Sequence, residues 1–161
     1  LCLLCPGQGS QSTDMLPRLL AQPLIATHLQ PLISDMPFNV MAISQDTSRC
    51  FLNAYAQPLI VAAGAAVSQA LKSQGVHIDL SAGYSIGELT AHVVAGSVCA
   101  SDALRLATAR ARYMDKAAPP AHGPQNAVDT LHYTQFALWV TLKHARQSVT
   151  GMSRNDHSGT L

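Results

Sequence analysis

Charge is what this chain has least of. Asp, Glu, Lys and Arg make up 12% of its 161 residues, and the formal net charge is +1. Such a balance gives no electrostatic basis for binding nucleic acid or an acidic membrane. Aromatic residues are equally scarce at 5%, while alanine is abundant, which suits close helix packing. Long apolar runs are missing too. The longest, Leu59 to Val67, falls far short of the roughly 20 residues a membrane-spanning helix needs. The apolar start, Leu1 to Leu4, is short, lacks a basic leader and runs straight into Pro6-Gly7, unlike a signal peptide. The expectation is a soluble, cytoplasmic protein. At 48% hydrophobic, the chain is long and apolar enough for one domain with a real core.

Cysteine is limited to Cys2, Cys5, Cys50 and Cys99. Cys2 and Cys5 form a C-x-x-C, which raises redox and zinc readings. If Leu1 to Cys5 is a strand, however, residues three apart point to opposite faces and cannot share a metal. No second ligand pair stands at a suitable spacing. Buried, reduced thiols in a first strand are expected, and no metal.

Leu1 to Cys5 is a continuous apolar run, as in a strand buried on both faces of a parallel sheet. Pro6 to Ser10 is a glycine-rich loop. Thr13 to Gln30 has helical spacing broken by Pro17 and Pro23, predicting one or two short helices. Pro31 to Phe51 is irregular, with room for another. Pro58 to Gln74 predicts a central buried helix, with Pro58 in its first turn and Gly75 at its C-terminal cap. Val76 to Ala82 reads as a second strand, and Ile86 to Ala95 as a helix closed by Gly96. Ser101 is placed to cap a helix reaching about Ala117. Pro119 to Pro124 is a firm break. A helix is expected over about 132–147, then a polar, frayed end.

The chemistry concentrates at Gly83-Tyr84-Ser85-Ile86-Gly87. This G-x-S-x-G between a strand and a helix matches the nucleophile elbow, which holds a serine on a sharp turn. There, free helix N–H groups favour developing negative charge. An ordinary serine N-cap after a strand is the plainer alternative. Arg110 has largely apolar neighbours at helical spacing: Leu106, Ala107, Tyr113 and Met114. It lies about 140° around the helix from Arg105. It either snorkels or holds a buried anion. Glu88 falls in the first turn of the helix after the elbow and reads as structural.

Four stretches, in order, carry a family resemblance. They are Cys5-Pro6-Gly7-Gln8-Gly9-Ser10-Gln11, Asn53-Ala54-Tyr55-Ala56-Gln57-Pro58, Gly83 to Leu89, and Ala103 through Met114. Together they resemble the malonyl-CoA:acyl-carrier-protein transacylases. Tyr84 before the serine, where most of that family has histidine, is most like the epsilon subunit of malonate decarboxylase. The resemblance runs from Leu1 to about Gly123, so residues 1–123 are expected to be the N-terminal part of an acyltransferase domain, and 124–161 a divergent tail. It implies an α/β fold: a truncated, helix-rich, hydrolase-like serine-acyltransferase core with a small parallel sheet flanked by helices.

The resemblance also implies roles. Ser85 would be the nucleophile, the N–H of Ile86 and a donor from Gln8 the oxyanion hole, and Arg110 the grip on the free malonyl carboxylate. Coenzyme A would enter as the thioester substrate, with no resident cofactor. The partner would be an acyl carrier protein or the acyl-carrier subunit of malonate decarboxylase. The family's general base is a histidine followed by Ser or Thr, well downstream. His28, His77, His92, His122, His132, His144 and His157 are present, and none is assigned. His92 would lie about 10 Å down the helix from Ser85. His157-Ser158 imitates the dipeptide at far too short a spacing. A shortened homologue that binds acyl-CoA or a partner without catalysis, and an unrelated serine esterase or lipase, are the alternatives.

Overall fold

The computed structural model describes residues 1–9, 11–34, 36–117 and the backbone of 139–142. In chain order the elements are β1 (Cys2–Cys5), α1 (Met15–Leu20), α2 (Pro23–Ser34), α3 (Val40–Ser44), α4 (Asn53–Ser73), β2 (Leu80–Gly83), α5 (Gly87–Ala95), α6 (Ala100–Ala117) and β3 (Trp139–Leu142). The fold is helix-rich α/β, as expected. β1 and β2 are parallel, with Cys5 beside Gly83 at their C-terminal ends. β3 joins the far edge of β2 antiparallel. A helix over 132–147 was expected, so the strand at 139–142 corrects it there. The rest of that helix, and the tail beyond it, lie outside the described residues.

α4 is the central element. One side packs on α1, α2 and α3 through Leu59, Ala62, Ala63 and Ala66, against Leu16, Leu29, Val40 and Ile43. The other side packs on α5 and α6 through Ile60, Val61 and Ala65, against Ile86, Val93, Ala103 and Ala107. Ala103, Ala107 and Ala111 recur every four residues on α6 and are fully buried. Four-residue spacing puts them on one helix face, and their small size lets α6 lie close on α4. Length and composition alone would let α4 cross a membrane. Most of it is buried within this domain, with Gln57 and Ser68 inside.

The helix ends follow backbone chemistry. Gly75 adopts φ +76°, and around it Gly75 N–H bonds the Lys72 carbonyl and Val76 N–H the Leu71 carbonyl, the paired bonds of a Schellman end. That uses Val76, so β2 starts at Leu80 and not at Val76. Gly96 closes α5 at φ +76°, with Ser97 N–H on the His92 carbonyl. Two starts differ from expectation. α4 begins at Asn53, five residues before Pro58. Proline there removes only the N–H that would reach the Ala54 carbonyl, close to the helix start. α6 begins at Ala100, with Ala103 N–H on the Cys99 carbonyl, so Ser101 lies inside the first turn and does not cap it.

β1 is buried on one face only. Cys5 is buried and Leu3 half-buried, packed with Ile78, Ala91 and Val94. Cys2 is exposed and Leu4 is 74% exposed. The expectation of a strand buried on both faces, with two buried thiols, is corrected: among the described residues, α5 covers a single face.

Where α4 crosses α5, a Cβ on Gly64 would meet Thr90 Cγ2 at 2.5 Å. The buried Thr90 hydroxyl has no hydrogen-bond partner among the described residues. Removing an orphaned buried hydroxyl recovers about 1 kcal/mol or more. Thr90→Val is therefore expected to raise Tm by roughly 2–4 °C. A thermal melt that moves down instead would show that the hydroxyl is satisfied or that the extra methyl does not fit.

Candidate active site

The elbow is built by backbone contact. β2 ends at Gly83 and α5 starts at Gly87, and the two lie so close that a Cβ on Gly83 would stand 2.2 Å from the Gly87 carbonyl oxygen. A Cβ on Gly87 would stand 2.3 Å from the Cys5 carbonyl oxygen at the end of β1. Both glycines of the motif are needed for space. Between them Ser85 takes φ +54°, the one positive value of a non-glycine among the described residues. A serine in that region costs about 1–2 kcal/mol. Tyr84 N–H on the Cys5 carbonyl (3.1 Å), Gly87 N–H on the Tyr84 carbonyl (2.9 Å) and Glu88 N–H on the Ser85 carbonyl (3.1 Å) hold the turn.

The N-cap alternative for Ser85 fails. Ile86 occupies the cap position, with no side-chain cap hydrogen bond among the described residues. The Ser85 Oγ instead accepts a hydrogen bond from Arg110 Nη2 at 3.1 Å. Ile86 heads the helix, where the first N–H groups have no intrahelical acceptor.

Arg110 does not snorkel. Its Nη1 donates to Gln57 Oε1 at 2.8 Å while Nη2 reaches Ser85. Burial lowers its pKa from the ordinary arginine value, and the Glu88 carboxylate works in the opposite direction. Glu88 thus bears on the site by its field. None of the ion pairs among the described residues involves Arg110. A half-buried guanidinium without a bonded counter-ion stands beside the serine.

Gln8 comes to the same place along the loop after β1. Gly7 packs against Tyr84, its would-be Cβ 2.7 Å from the tyrosine ring. The Gln8 side chain does what a plain loop residue would do, donating through Nε2 to the Phe51 carbonyl at 2.8 Å. Its Oε1 also accepts from Gln57 Nε2 at 3.4 Å.

Gln57 is the residue that sequence reasoning passed over. It is 0% exposed and links Arg110 to Gln8. Its Nε2 also faces Asn53 Oδ1 at 3.4 Å and Met114 Sδ at 3.2 Å. Asn53 Nδ2 in turn donates to Asp115 at 2.7 Å, tying the start of α4 to the end of α6. The available signal was one amide at the head of an apolar helix, since a buried polar group needs partners.

Cys5 is no rival nucleophile. Burial, with a smaller contribution from Cys2, pushes its thiol up to about 11, so it stays protonated at neutral pH. The described histidines do not serve Ser85. His92 Nδ1 is 2.9 Å from Ser97 Oγ at the far end of α5, and His77 pairs with Asp79. His28 sits on α2. His122, His132, His144 and His157 lie outside the described residues.

Comparison with known proteins places the chain in a family. The acyl transferase domain family matches residues 2–160, past the Gly123 limit read from the motifs. The malonyl CoA-acyl carrier protein transacylase of Mycobacterium tuberculosis (strain H37Rv) is 36% identical over 122 residues, 73% of this chain and 40% of its own length. That of Salmonella typhimurium is 32% identical over 127 residues, 76% of this chain and 41% of its own. The chain thus spans about 40% of the length of the curated relatives it matches. Among solved structures, the Coxiella burnetii transacylase aligns with a TM-score of 0.66 at 30% identity, over 73% of this chain and 39% of that one. The acyltransferase domain of the second salinomycin polyketide synthase module aligns at 0.67 and 32%, over 74% and 29%. With its elbow, its partnering arginine and these relatives, the chain belongs to the acyl transferase domain family.

Proposed function

We propose that this chain carries the nucleophile half of a malonyl transferase. Ser85 Oγ attacks the thioester carbonyl of malonyl-CoA, the C–S bond breaks, and coenzyme A leaves as the thiol. The malonyl group rests on Ser85 as an ester and then passes to the phosphopantetheine-type thiol of a carrier protein. The N–H groups of Ile86 and Gln8 receive the charge that develops on the carbonyl oxygen. Arg110 binds the free carboxylate, which a planar guanidinium does with two parallel bonds. The observation that carries this reading is the Arg110 guanidinium 3.1 Å from Ser85 Oγ, in no ion pair among the described residues. An esterase acting on neutral substrates would have no use for it. Tyr84 before the serine favours the acyl-carrier subunit of malonate decarboxylase as carrier, by its resemblance to that enzyme's epsilon subunit. A cytoplasmic setting, where coenzyme A thioesters are made and used, belongs to the same reading.

A second reading is binding without acylation. It is favoured by one observation: no described histidine reaches Ser85, and a serine without its base loses most of its reactivity.

Intact mass after incubation with malonyl-CoA separates the two. A malonyl adduct mapped to Ser85, absent in Ser85→Ala and not formed from acetyl-CoA, is the expected result. A folded protein that binds malonyl-CoA yet forms no adduct would leave the binding role. An adduct from acetyl-CoA as readily as from malonyl-CoA would favour the esterase.

A further inference from the structure

The site holds a contact that binding alone does not require. Arg110 Nη2 donates to the Oγ that has to attack. We propose that Arg110 restrains Ser85 until a carboxylate on the incoming acyl group takes over that hydrogen bond. The substrate's own charge would then release the nucleophile. This rests on the reading of Ser85 as nucleophile and Arg110 as carboxylate site, and adds that selection acts on reactivity as well as on binding.

The restraint is anchored. Nη1 is fixed by Gln57 Oε1 at 2.8 Å. Gln57 is itself fully buried and held among Gln8, Asn53 and Met114. The guanidinium therefore cannot drift off Ser85 without leaving a buried amide oxygen unpaired, which is costly. A hydroxyl oxygen has two lone pairs. One accepts from Nη2, and the cationic donor draws electron density from the oxygen that must attack the acyl carbon. The guanidinium also occupies space close to Oγ, where the reacting carbon must come within about 3–3.5 Å.

A carboxylate can lift this restraint and a neutral acyl group cannot. The hydroxyl is neutral, whereas a carboxylate adds the attraction of an opposite charge to the hydrogen bond it accepts from the guanidinium, so the carboxylate outcompetes the hydroxyl for Nη2. In a malonyl group a single methylene separates the carboxylate from the thioester carbonyl. A carboxylate seated on Arg110 thus brings its carbonyl carbon beside the oxygen just released. An acetyl group leaves the Arg110–Ser85 bond in place. The opposite effect has its own physical basis, since a cation beside a hydroxyl favours the ionised form. The two readings predict opposite signs, which makes the proposal testable.

The test uses a small neutral alkyl fluorophosphonate, which carries no carboxylate. Ser85 Oγ bonds to phosphorus, the P–F bond breaks, fluoride leaves, and the hydroxyl proton passes to the buffer. Labelling is followed by intact mass in the wild type, Arg110→Ala and Ser85→Ala, each checked for fold by circular dichroism. Arg110→Ala is expected to label about tenfold faster than wild type, the size of one hydrogen bond to a charged group. Formate, at ionic strength matched with chloride, is expected to speed the wild type and leave Arg110→Ala unchanged. The wild-type response to formate needs no folded variant. Equal or slower labelling of Arg110→Ala, or no response of the wild type to formate, overturns the restraint while Ser85-dependent labelling keeps the nucleophile. No label on any folded form overturns both.

Discussion

Gly87→Ala is expected to lower Tm by roughly 10 °C or more and to leave no reactive serine in what remains folded. A methyl on Gly87 would stand 2.3 Å from the Cys5 carbonyl oxygen, 2.6 Å from that of Pro6 and 2.8 Å from the Cys5 carbonyl carbon. All three are backbone atoms, so no side chain can rotate away. β1 or α5 would have to move, and forced overpacking of this kind costs about 3 kcal/mol, a large part of a small domain's stability. The Cys5 carbonyl also accepts the Tyr84 N–H that holds the Ser85 turn, so the displacement reaches the nucleophile directly. Gly75→Ala is the control. Gly75 has φ +76° and, among the described residues, nothing within 4 Å of its would-be Cβ. Its replacement meets only the left-handed backbone penalty of about 1–2 kcal/mol. Thermal melts of both variants decide the matter. Equal losses would mean that β1 and α5 yield to the methyl, since Gly87 is not among the glycines with positive φ, and that their close approach does not require glycine.

The parts legible in the sequence were those whose signal is local. Gly75 and Gly96 mark helix ends because a left-handed residue after a helix favours glycine wherever it occurs. Gly83 and Gly87 bracket Ser85 within five residues, so strand, turn and helix could be read from one window. Boundaries were misread where a local rule had a stronger competitor. Pro58 is a good first-turn residue, yet α4 begins at Asn53, where Asn53 bonds Asp115 on α6. Ser101 is a good cap, yet α6 starts one residue earlier. Burial of β1 could not be read at all. Whether Leu4 is covered depends on which elements pack over it, and alternation is invisible in an all-apolar run. Gln57 shows the same limit most clearly. Its partners Gln8 and Arg110 lie 49 and 53 residues away, and no spacing rule connects them. Arg110 itself was left between two readings by helix periodicity; the family resemblance tipped it to the carboxylate site, and its bonds to Ser85 and Gln57 argue against snorkelling.

Arg110→Ala is expected to reduce the preference for malonyl-CoA over acetyl-CoA by roughly 10²–10³-fold, the size of losing one member of a desolvated, hydrogen-bonded charge pair. The proper observable is the ratio of acylation rates at Ser85, and not the malonyl rate alone. Truncating Arg110 strips the fully buried Gln57 oxygen of its donor and loosens its link to Gln8. Part of any drop in the malonyl rate would therefore be structural. That part falls on both donors and cancels in the ratio. What does not cancel is the carboxylate, which only malonyl-CoA brings. Apart from that shared structural loss, the acetyl rate should rise, because the alanine variant no longer engages Ser85 Oγ. Arg110→Lys should recover only a small part of the preference. An ammonium keeps the charge, but it lacks the fork that lets Arg110 bond Gln57 and Ser85 together. A ratio restored in full by lysine would mean that charge alone selects the acyl group. A ratio unchanged in alanine would move the carboxylate site away from Arg110 and leave its contact with Ser85 to be explained by another role.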